Sequence, residues 1–353
     1  MNPAAGPEPD DSHLADRGRT ISLPQPAAPD ATGSGFARPA LIAGLVFIGG
    51  VISAVAVHLA LQKSDREQLA ARINVAVDNR VSALRAATRS YEDSLHALRA
   101  LYTFSDDVSY AEFVGATRDS LGRYPGISAL EWAPLVAGSD RARVEAEIGR
   151  TVRSGYHFID RAGASGFARA AEAREYLPLI YIEPLADNQP ALGFNLLSGT
   201  SHQEITLSRT QGRIMLSRVT QLFMEGSTSN GLVIYCPVYG QLPEPGVLPP
   251  RENFRGMLIA VSRLDRFFTE APDRIAAVGY DLLVIDHTPR NADGPIALHG
   301  ENGVTRIADL PTPEAFATPD SVRVPFPIWG RTWELIFRPS EAWMKAASRR
   351  QPY

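Results

Sequence analysis

The sequence predicts an α+β fold that follows an N-terminal transmembrane helix and a long stalk helix. Three observations predict it: a run of 23 residues without a formal charge, a heptad pattern after that run, and two successive sets of strand-like segments. Hydrophobic residues make up 44% of the 353 residues. That share is enough to form one or two buried cores in a chain of this length.

The N-terminal part of the chain divides at residue 38. Residues 1–38 are rich in Pro, Ala, Gly, Ser and Asp, and we expect a disordered tail because few large apolar groups offset the entropy of ordering. Residues 39–61 carry no formal charge, and as a helix they span roughly 35 Å against a hydrocarbon core of ~30 Å. We therefore predict a transmembrane helix. A cleaved signal peptide is the competing interpretation, but its apolar region is usually shorter.

Residues 62–105 contain no proline or glycine and predict a stalk helix. Spacings of three and four residues define a heptad seam on it, made of Val77, Val81, Leu84, Thr88, Tyr91, Leu95 and Leu98. The seam has two interpretations. Either the helix packs on its own domain, or it forms a homodimer with a second chain through the stalk.

Beyond Ser105 the chain becomes aromatic, β-branched and rich in turn residues, which predicts a mixed domain. A first set of strand candidates is separated by a proline-rich break, residues 241–250, from a second set. The first set comprises residues 155–159, 179–183, 192–197 and 232–239, with a polar helical stretch at 202–222. The second set comprises residues 256–262, 280–286, 296–299, 321–325 and 332–337.

Composition and motifs argue against several functional classes. The net charge of −4 provides no basic field, so we expect no nucleic acid as a partner. The single cysteine, Cys236, excludes an intramolecular disulfide, and the seven histidines lack the spacing of a helical metal site. Hydrolase, dinucleotide and P-loop signatures do not occur. We therefore expect no catalytic residue, no metal site, no cofactor and no enzymatic activity.

Several segments in a fixed order resemble the CHASE domain, the extracytoplasmic sensor of many receptor kinases and cyclases. They are YPGI at 124–127, EWAPLV at 131–136, YLPLIYIEP at 176–184, NQPALGFNLLSG at 188–199, CPVY at 236–239 and WELIFRP at 333–339. The resemblance runs from about residue 98 to 339. It covers roughly two thirds of the chain.

This resemblance implies a stalk that carries two tandem PAS-like subdomains with antiparallel sheets. Residues 106–245 would form the membrane-distal, ligand-binding subdomain, and residues 246–339 the membrane-proximal one. Residues 340–353 would lead to a second span that is missing from this chain. Plant cytokinin receptors share the family, and they hold their ligand with an aspartate where this chain has Asn195.

The resemblance and the side-chain chemistry together indicate a set of ligand-binding residues. Asn195 keeps hydrogen-bonding groups without a charge, which disfavours a cationic or purine-like ligand held by a carboxylate; alternatively, it satisfies neighbouring backbone groups. The resemblance adds an apolar pocket residue, Leu216, and a hydroxyl contact, Ser227. Aromatic groups of the distal sheet complete the set as pocket candidates, with core packing as their alternative role: Trp132, Tyr181, Phe194 and Tyr235.

The sequence thus predicts an extracytoplasmic, periplasmic small-ligand sensor held in the inner cell membrane. Its expected partners are a small-molecule ligand, membrane lipid, a second copy of the chain, and a histidine kinase or diguanylate cyclase output that is absent here. Two other functions compete with this one. The first is a membrane-tethered extracytoplasmic enzyme with an unrecognised active site, and the second is a ligandless dimerisation domain.

Overall fold

A computed structural model describes residues 37–105, 107–163, 166–224, 227–241, 247–269, 279–288, 294–300, 303–304, 309–341 and 343–345. Residues 1–36 of the predicted disordered tail lie outside the described ranges, and so do residues 346–353. The chain divides into two compact units, Met1–Ser64 and Asp65–Tyr353.

The described elements follow one another in an α+β order. The helices are α1 Ala37–Phe104, α2 Tyr110–Arg123, α3 Arg141–Thr151, α4 Leu185–Asn188, α5 His202–Gln211, α6 Leu264–Thr269 and α7 Pro313–Phe316. The strands are β1 Ala129–Pro134, β2 Val136–Ala137, β3 Ile159–Ala162, β4 Gly166–Arg169, β5 Glu175–Tyr176, β6 Tyr181–Glu183, β7 Met215–Leu216, β8 Thr220–Met224, β9 Ser227–Tyr239, β10 Phe254–Arg263, β11 Tyr280–Asp286, β12 Gly294–Gly300, β13 Gly303–Val304, β14 Val322–Ile328 and β15 Arg331–Pro339.

Helix α1 contains both the uncharged run and the heptad seam, as the sequence predicts. Within the described residues, it is the one helix long and apolar enough to cross a membrane. Large apolar side chains in the predicted span are exposed, including Phe47 at 73%. Such exposure is typical of a lipid-facing segment, because the same side chains in water would form a large apolar patch.

The heptad seam of α1 packs on its own domain. Val77, Leu84 and Leu95 are at most 2% exposed and belong to the main hydrophobic core of the second unit. Tyr91 is also buried there, and its hydroxyl donates to Ser262 Oγ at 3.0 Å. The structure therefore has the first of the two arrangements that the heptad pattern allows, and the homodimer stays a prediction.

We expect Val77→Ala to lower the free energy of unfolding by about 2 kcal/mol, because two buried methyl groups are lost. Val77 is 2% exposed, whereas Val75 on the same helix is 62% exposed. The matched control Val75→Ala should therefore change stability by less than about 0.5 kcal/mol. Chemical denaturation of the full chain in detergent measures both. A Val77 effect that depends on protein concentration would instead indicate packing against a second chain.

The first sheet has the strand order β6-β1-β10-β9-β7, and β8 also pairs with β9. All of these pairs are antiparallel. Their register places Glu131 of β1 opposite Ile259 of β10, which lies opposite Tyr235 of β9. Side chains alternate between the two faces of a strand, so Glu131 and Tyr235 share one face. The neighbouring Trp132 points to the other face, where its ring stacks on Tyr102 of α1 with a centroid distance of 4.1 Å.

The proline-rich break lies between two strands of the first sheet, β9 and β10. Strand β10 contains the segment 256–262, which the sequence placed in the second set, yet it pairs with β1 and β9 of the first sheet. That placement was wrong because prolines mark where a strand stops, and they do not distinguish a long hairpin loop from a linker. The pairing of Phe254 with Tyr239 shows that the break joins β9 to β10. Residues 242–246 lie outside the described part of the chain.

Two local predictions also differ from the structure. The helical stretch predicted for 202–222 ends at Gln211, because Gly212 adopts a left-handed conformation with φ 69° and terminates α5. The strand predicted for 192–197 is irregular, with Gly193 at φ 92° followed by a 3₁₀ turn, Leu196–Ser198. Asn195 caps that turn by accepting a hydrogen bond from the Leu197 amide.

The second sheet has the strand order β13-β12-β11-β15-β14 and is also antiparallel. Its β14–β15 turn contacts the first sheet, since the Leu216 amide donates to Trp329 O at 2.9 Å. The Trp329 indole N–H in turn donates to Glu92 Oε1 of α1 at 2.6 Å. One turn therefore joins the stalk part of α1, the first sheet and the second sheet.

Candidate ligand-binding site

A cavity of about 90 Å³ lies against the face of the first sheet that carries Glu131 and Tyr235. Strands β1, β9 and β10 form its floor, and the segment 188–201, β3 and β8 form its walls. The lining residues are Glu131, Arg161, Leu179, Asn188, Ala191, Phe194, Leu196, Gly199, Thr200, Ser201, Thr220, Gln221, Leu222, Val233, Tyr235 and Val261. Apolar walls with dispersed polar groups are typical of small-molecule sites.

Glu131 is the unusual group in this cavity. Its side chain is 6% exposed, and its ladder partners in β6 and β10 are both isoleucines, Ile182 and Ile259. No residue in the described ranges hydrogen-bonds to its carboxyl group or forms an ion pair with it. Burial away from water disfavours the charged form and raises the pKa of Glu131 to about 8. The carboxyl group is therefore mostly protonated in the ligand-free protein at neutral pH.

Other polar groups line the cavity around the carboxyl group, and among the described residues none hydrogen-bonds to it. The Tyr235 hydroxyl shares a hydrogen bond with Ser201, and burial raises the pKa of Tyr235 well above its usual range. The Asn188 amide donates to Pro184 O at 2.8 Å, and this bond fixes its orientation. The polar wall is thus held in place by the protein and leaves the Glu131 carboxyl group available to a ligand.

The structure separates the aromatic residues that the sequence proposes for the pocket. Phe194 and Tyr235 line the cavity beside Glu131. Trp132 and Tyr181 are register partners on neighbouring strands and face the opposite side of the sheet. There they line a second cavity, of about 360 Å³, beside Tyr102. Two of these four side chains are therefore brought together with Glu131, and two are not.

Asn195 binds protein groups with both ends of its amide. Its Oδ1 accepts from the backbone amides of Leu177 at 3.0 Å and Leu197 at 3.3 Å. Its Nδ2 donates to Asp160 Oδ1 at 2.9 Å. An aspartate at this position would bring two carboxylates together, which is electrostatically unfavourable. The neighbouring Asp160 thus gives a physical reason for asparagine here, and Asn195 does not line the cavity.

The last two predicted site residues lie elsewhere. Leu216 is 1% exposed in β7 and lines a cavity of about 170 Å³ near the β14–β15 turn. Ser227 begins β9, and its side chain falls outside the described part of the chain. The structure therefore does not bring Leu216 to the Glu131 cavity.

Two cavities larger than the Glu131 cavity are lined by charged groups that form ion pairs with each other. We therefore do not choose the site by volume alone. In the 360 Å³ cavity, Arg143 forms ion pairs with Asp140 at 3.7 Å and Glu147 at 3.5 Å. In a cavity of about 900 Å³, Glu145 forms ion pairs with Arg141 at 2.9 Å and Arg169 at 3.0 Å. The Glu131 cavity instead holds a buried carboxyl group to which no described residue is paired.

Sequence reasoning named the segment that contains Glu131 but passed over the residue itself. The available signal was a charged residue inside an apolar strand of six residues, Ala129–Pro134. Buried carboxyl groups are rare unless they are paired or functional. Within the described residues, no cluster of three or more His, Cys, Asp or Glu side chains has the geometry to hold a metal ion. Cys236 is fully buried, and burial raises the pKa of its thiol to about 12.

Comparisons with known proteins identify a family and a distant relative of the chain. The family model described as the CHASE domain matches residues 106–296. The hybrid signal transduction histidine kinase A of Dictyostelium discoideum is 26% identical over 159 residues, which cover 45% of this chain and 7% of that protein. The chain therefore spans a small fraction of the length of this relative.

Two solved structures are also similar to the chain. One is an extracellular ligand binding receptor from Desulfohalobium retbaense, with a TM-score of 0.46 and 10% identity over 75% of this chain and 40% of that one. The other is the periplasmic sensory domain of a Campylobacter jejuni chemoreceptor, with a TM-score of 0.44 and 8% identity over 81% of this chain and 98% of that one.

Proposed function

The chain belongs to the CHASE domain family, and from that premise we propose that the Glu131 cavity is its ligand site. The chain carries a sensor domain. In the proposed function a small molecule enters the cavity from the extracytoplasmic side and changes the balance between two arrangements of the second unit. Residues 39–61 would hold the chain in the inner membrane.

The observation that carries this proposal is the buried carboxyl group of Glu131, which lines the cavity and has no hydrogen-bond or ion-pair partner among the described residues. A carboxyl group out of water costs free energy unless it gains a partner. A ligand that supplies this partner binds the folded protein and not the unfolded chain, so it shifts the folding equilibrium towards the native state. Phe194 and Tyr235 would contact the same ligand from the cavity wall.

The cavity favours sensing over catalysis. A general acid–base pair needs two titratable groups within hydrogen-bond reach of one reacting atom. The other titratable groups lining the cavity are Arg161 and Tyr235, and neither is hydrogen-bonded to Glu131. An isolated anchor in a partly apolar cavity suits recognition of a ligand, whereas acid–base chemistry would require a second group beside it.

We expect ligand binding to be transmitted through the contacts between β1 and α1. Strand β1 carries Glu131 on one face and packs Trp132 against Tyr102 of α1 on the other. A shift of β1 on ligand binding would therefore reach α1 directly. We propose that α1 conveys this change to a kinase output, with coupling limited to the difference in ligand affinity between the two arrangements, typically ~1 to 3 kcal/mol. A homodimer and a cyclase output remain parts of this proposal, and so do two subdomains, with β10 belonging to the first of them.

A thermal-shift screen of the full chain in lipid nanodiscs tests the ligand site. Small metabolites that bind the cavity should raise the melting temperature of the wild-type chain. Ala191→Trp, which places a large ring into the cavity, should abolish these shifts because Ala191 lines its wall.

The matched control is Ala142→Trp, which changes an exposed residue at the separate 900 Å³ cavity and should leave the shifts intact. A ligand whose shift survives Ala191→Trp and disappears in Ala142→Trp would place the site elsewhere. If no small molecule stabilises the wild-type chain, the sensor uses another signal and the proposed site is wrong.

A further inference from the structure

The residues that line the Glu131 cavity indicate the chemical class of its ligand. We infer that it takes a small aliphatic amine, with the ammonium group bound to the Glu131 carboxylate and a short carbon chain against the apolar wall. This inference rests on the proposed ligand site and deepens it. The aspartate of the plant receptors is replaced by Asn195, so the sequence disfavoured a cationic ligand, but the structure supplies a different carboxyl group two strands from Tyr235.

The first reason is the shortage of partners for Glu131. Its carboxyl group offers up to four acceptor positions when ionised, and none is used by a residue in the described part of the chain. An ammonium group has three donors and no acceptor, so it complements a carboxylate and nearby hydroxyl oxygens. Tyr235 and Ser201 supply such oxygens in the same cavity.

The second reason is the rest of the wall. Leu179, Leu196, Val233 and Val261 line the cavity around the polar groups and suit a hydrocarbon chain. The size is restrictive, because an engineered cavity of about 150 Å³ holds benzene, so about 90 Å³ corresponds to roughly four non-hydrogen atoms. Propylammonium has this size and combines both features.

The third reason is the direction of the proton change. Glu131 is mostly neutral without ligand at pH 7, because burial raises its pKa to about 8. An ammonium ligand stabilises the ionised form, so binding releases a proton. Burial raises the pKa of Tyr235 and keeps its hydroxyl neutral in this range, so the released proton comes from Glu131.

The test uses the full chain in nanodiscs with three probes of similar size: propylammonium chloride, 1-propanol and sodium acetate. Propylammonium alone should raise the melting temperature of the wild-type chain. Its affinity should rise about tenfold per pH unit from about pH 6 towards about pH 8 and then level off. Glu131→Gln should weaken propylammonium binding at least about tenfold and remove this pH dependence, because the amide cannot ionise.

Glu172→Gln is the matched control, since Glu172 is exposed and lines the separate 900 Å³ cavity; it should bind propylammonium as the wild-type chain does. Equal responses to propylammonium and 1-propanol, or an unchanged propylammonium affinity in Glu131→Gln, would overturn the amine inference. If propylammonium has no effect but other molecules give shifts that Ala191→Trp abolishes, the inference fails and the ligand site stands. If nothing shifts the wild-type chain, the ligand site itself fails.

A spectroscopic measurement covers the case in which Glu131→Gln does not fold. Infrared difference spectra of the wild-type chain should show the stretch of a protonated carboxylic acid at about pH 7, and propylammonium should remove that band as the carboxyl group ionises. A band that propylammonium leaves unchanged would contradict the inference without requiring any variant.

Discussion

Replacing Glu131 by glutamine should stabilise the ligand-free chain by up to roughly 5 kcal/mol at about pH 9 and by almost nothing at about pH 4. The reason is the cost of ionising a buried carboxyl group. The folded-state pKa is about 8, whereas the usual pKa is 4.5, so the unfolded chain releases its proton first as the pH rises. The wild-type chain therefore loses stability between these two values, and glutamine, which cannot ionise, does not.

Thermal or chemical unfolding of both proteins across about pH 4 to 9 measures the difference between them. It should be absent below pH 4.5, grow up to about pH 8 and stay constant above it, with a gap in melting temperature on the order of 10 °C. Tyr235 does not interfere, because burial raises its pKa and keeps its hydroxyl neutral in this range. Two parallel stability curves would mean that Glu131 is ionised and partnered in the folded protein.

Arg331→Ala should lower the free energy of unfolding by about 3 to 5 kcal/mol, because it leaves a buried charge without its partner. The Arg331 side chain is 3% exposed and lies 3.3 Å from Asp286, whose side chain is 5% exposed. It also forms an ion pair with Glu204 of α5 at 3.6 Å and donates from Nε to Ser217 O at 3.0 Å. One guanidinium group therefore joins α5 and the first sheet to the second sheet.

The matched control is Arg323→Ala in the same hairpin. The Arg323 side chain is 48% exposed and lies 3.4 Å from Glu334, so its removal should cost about 0 to 1 kcal/mol. Chemical denaturation monitored by tryptophan fluorescence compares the two variants. Equal, small effects would show that solvent reaches Asp286 and that the contact between the sheets is not a buried ion cluster.

The ion cluster also bears on signalling, because it lies at the N-terminal part of α5, near the cavity wall. Glu204 is two residues from the start of α5, and the cavity wall includes Thr200 and Ser201 just before that helix. A ligand that moves this wall would also displace α5, and the ion pairs of Arg331 with Glu204 and Asp286 would pass that displacement to the second sheet. If a ligand binds as we propose, the cluster and the Trp132–Tyr102 stack would connect the cavity to two neighbouring elements, the second sheet and α1.

Much of the fold could be predicted from local patterns. The uncharged run and the heptad seam predict α1, and the seam residues Val77, Leu84 and Leu95 are indeed buried. Strand β11 has the predicted bounds, Tyr280–Asp286. These elements are predictable because a helix of 3.6 residues per turn and a strand with a period of two impose their own spacing on apolar residues.

The candidate site was predicted less completely, for a reason visible in β1. The sequence selected Trp132 for its aromatic chemistry, but the cavity lies on the face that carries Glu131. Alternation tells which residues share a face, and it does not tell which face meets a helix and which meets a cavity. Asn195 could likewise be aligned with a ligand-binding aspartate, although its amide is bound to Asp160.

By itself, the sequence determined the order of membrane segment, stalk helix and mixed domain, the family, and the lack of a recognised catalytic motif. Only the tertiary structure decided that strand 254–263 belongs to the first sheet, that the seam packs on its own domain, and that Glu131 is buried in a cavity. The physical reason is that periodicity and composition are properties of neighbouring residues, whereas a cavity forms where β1, β9 and the segment 188–201 meet. These are distant in sequence, and their contacts are fixed by the packing of the whole core.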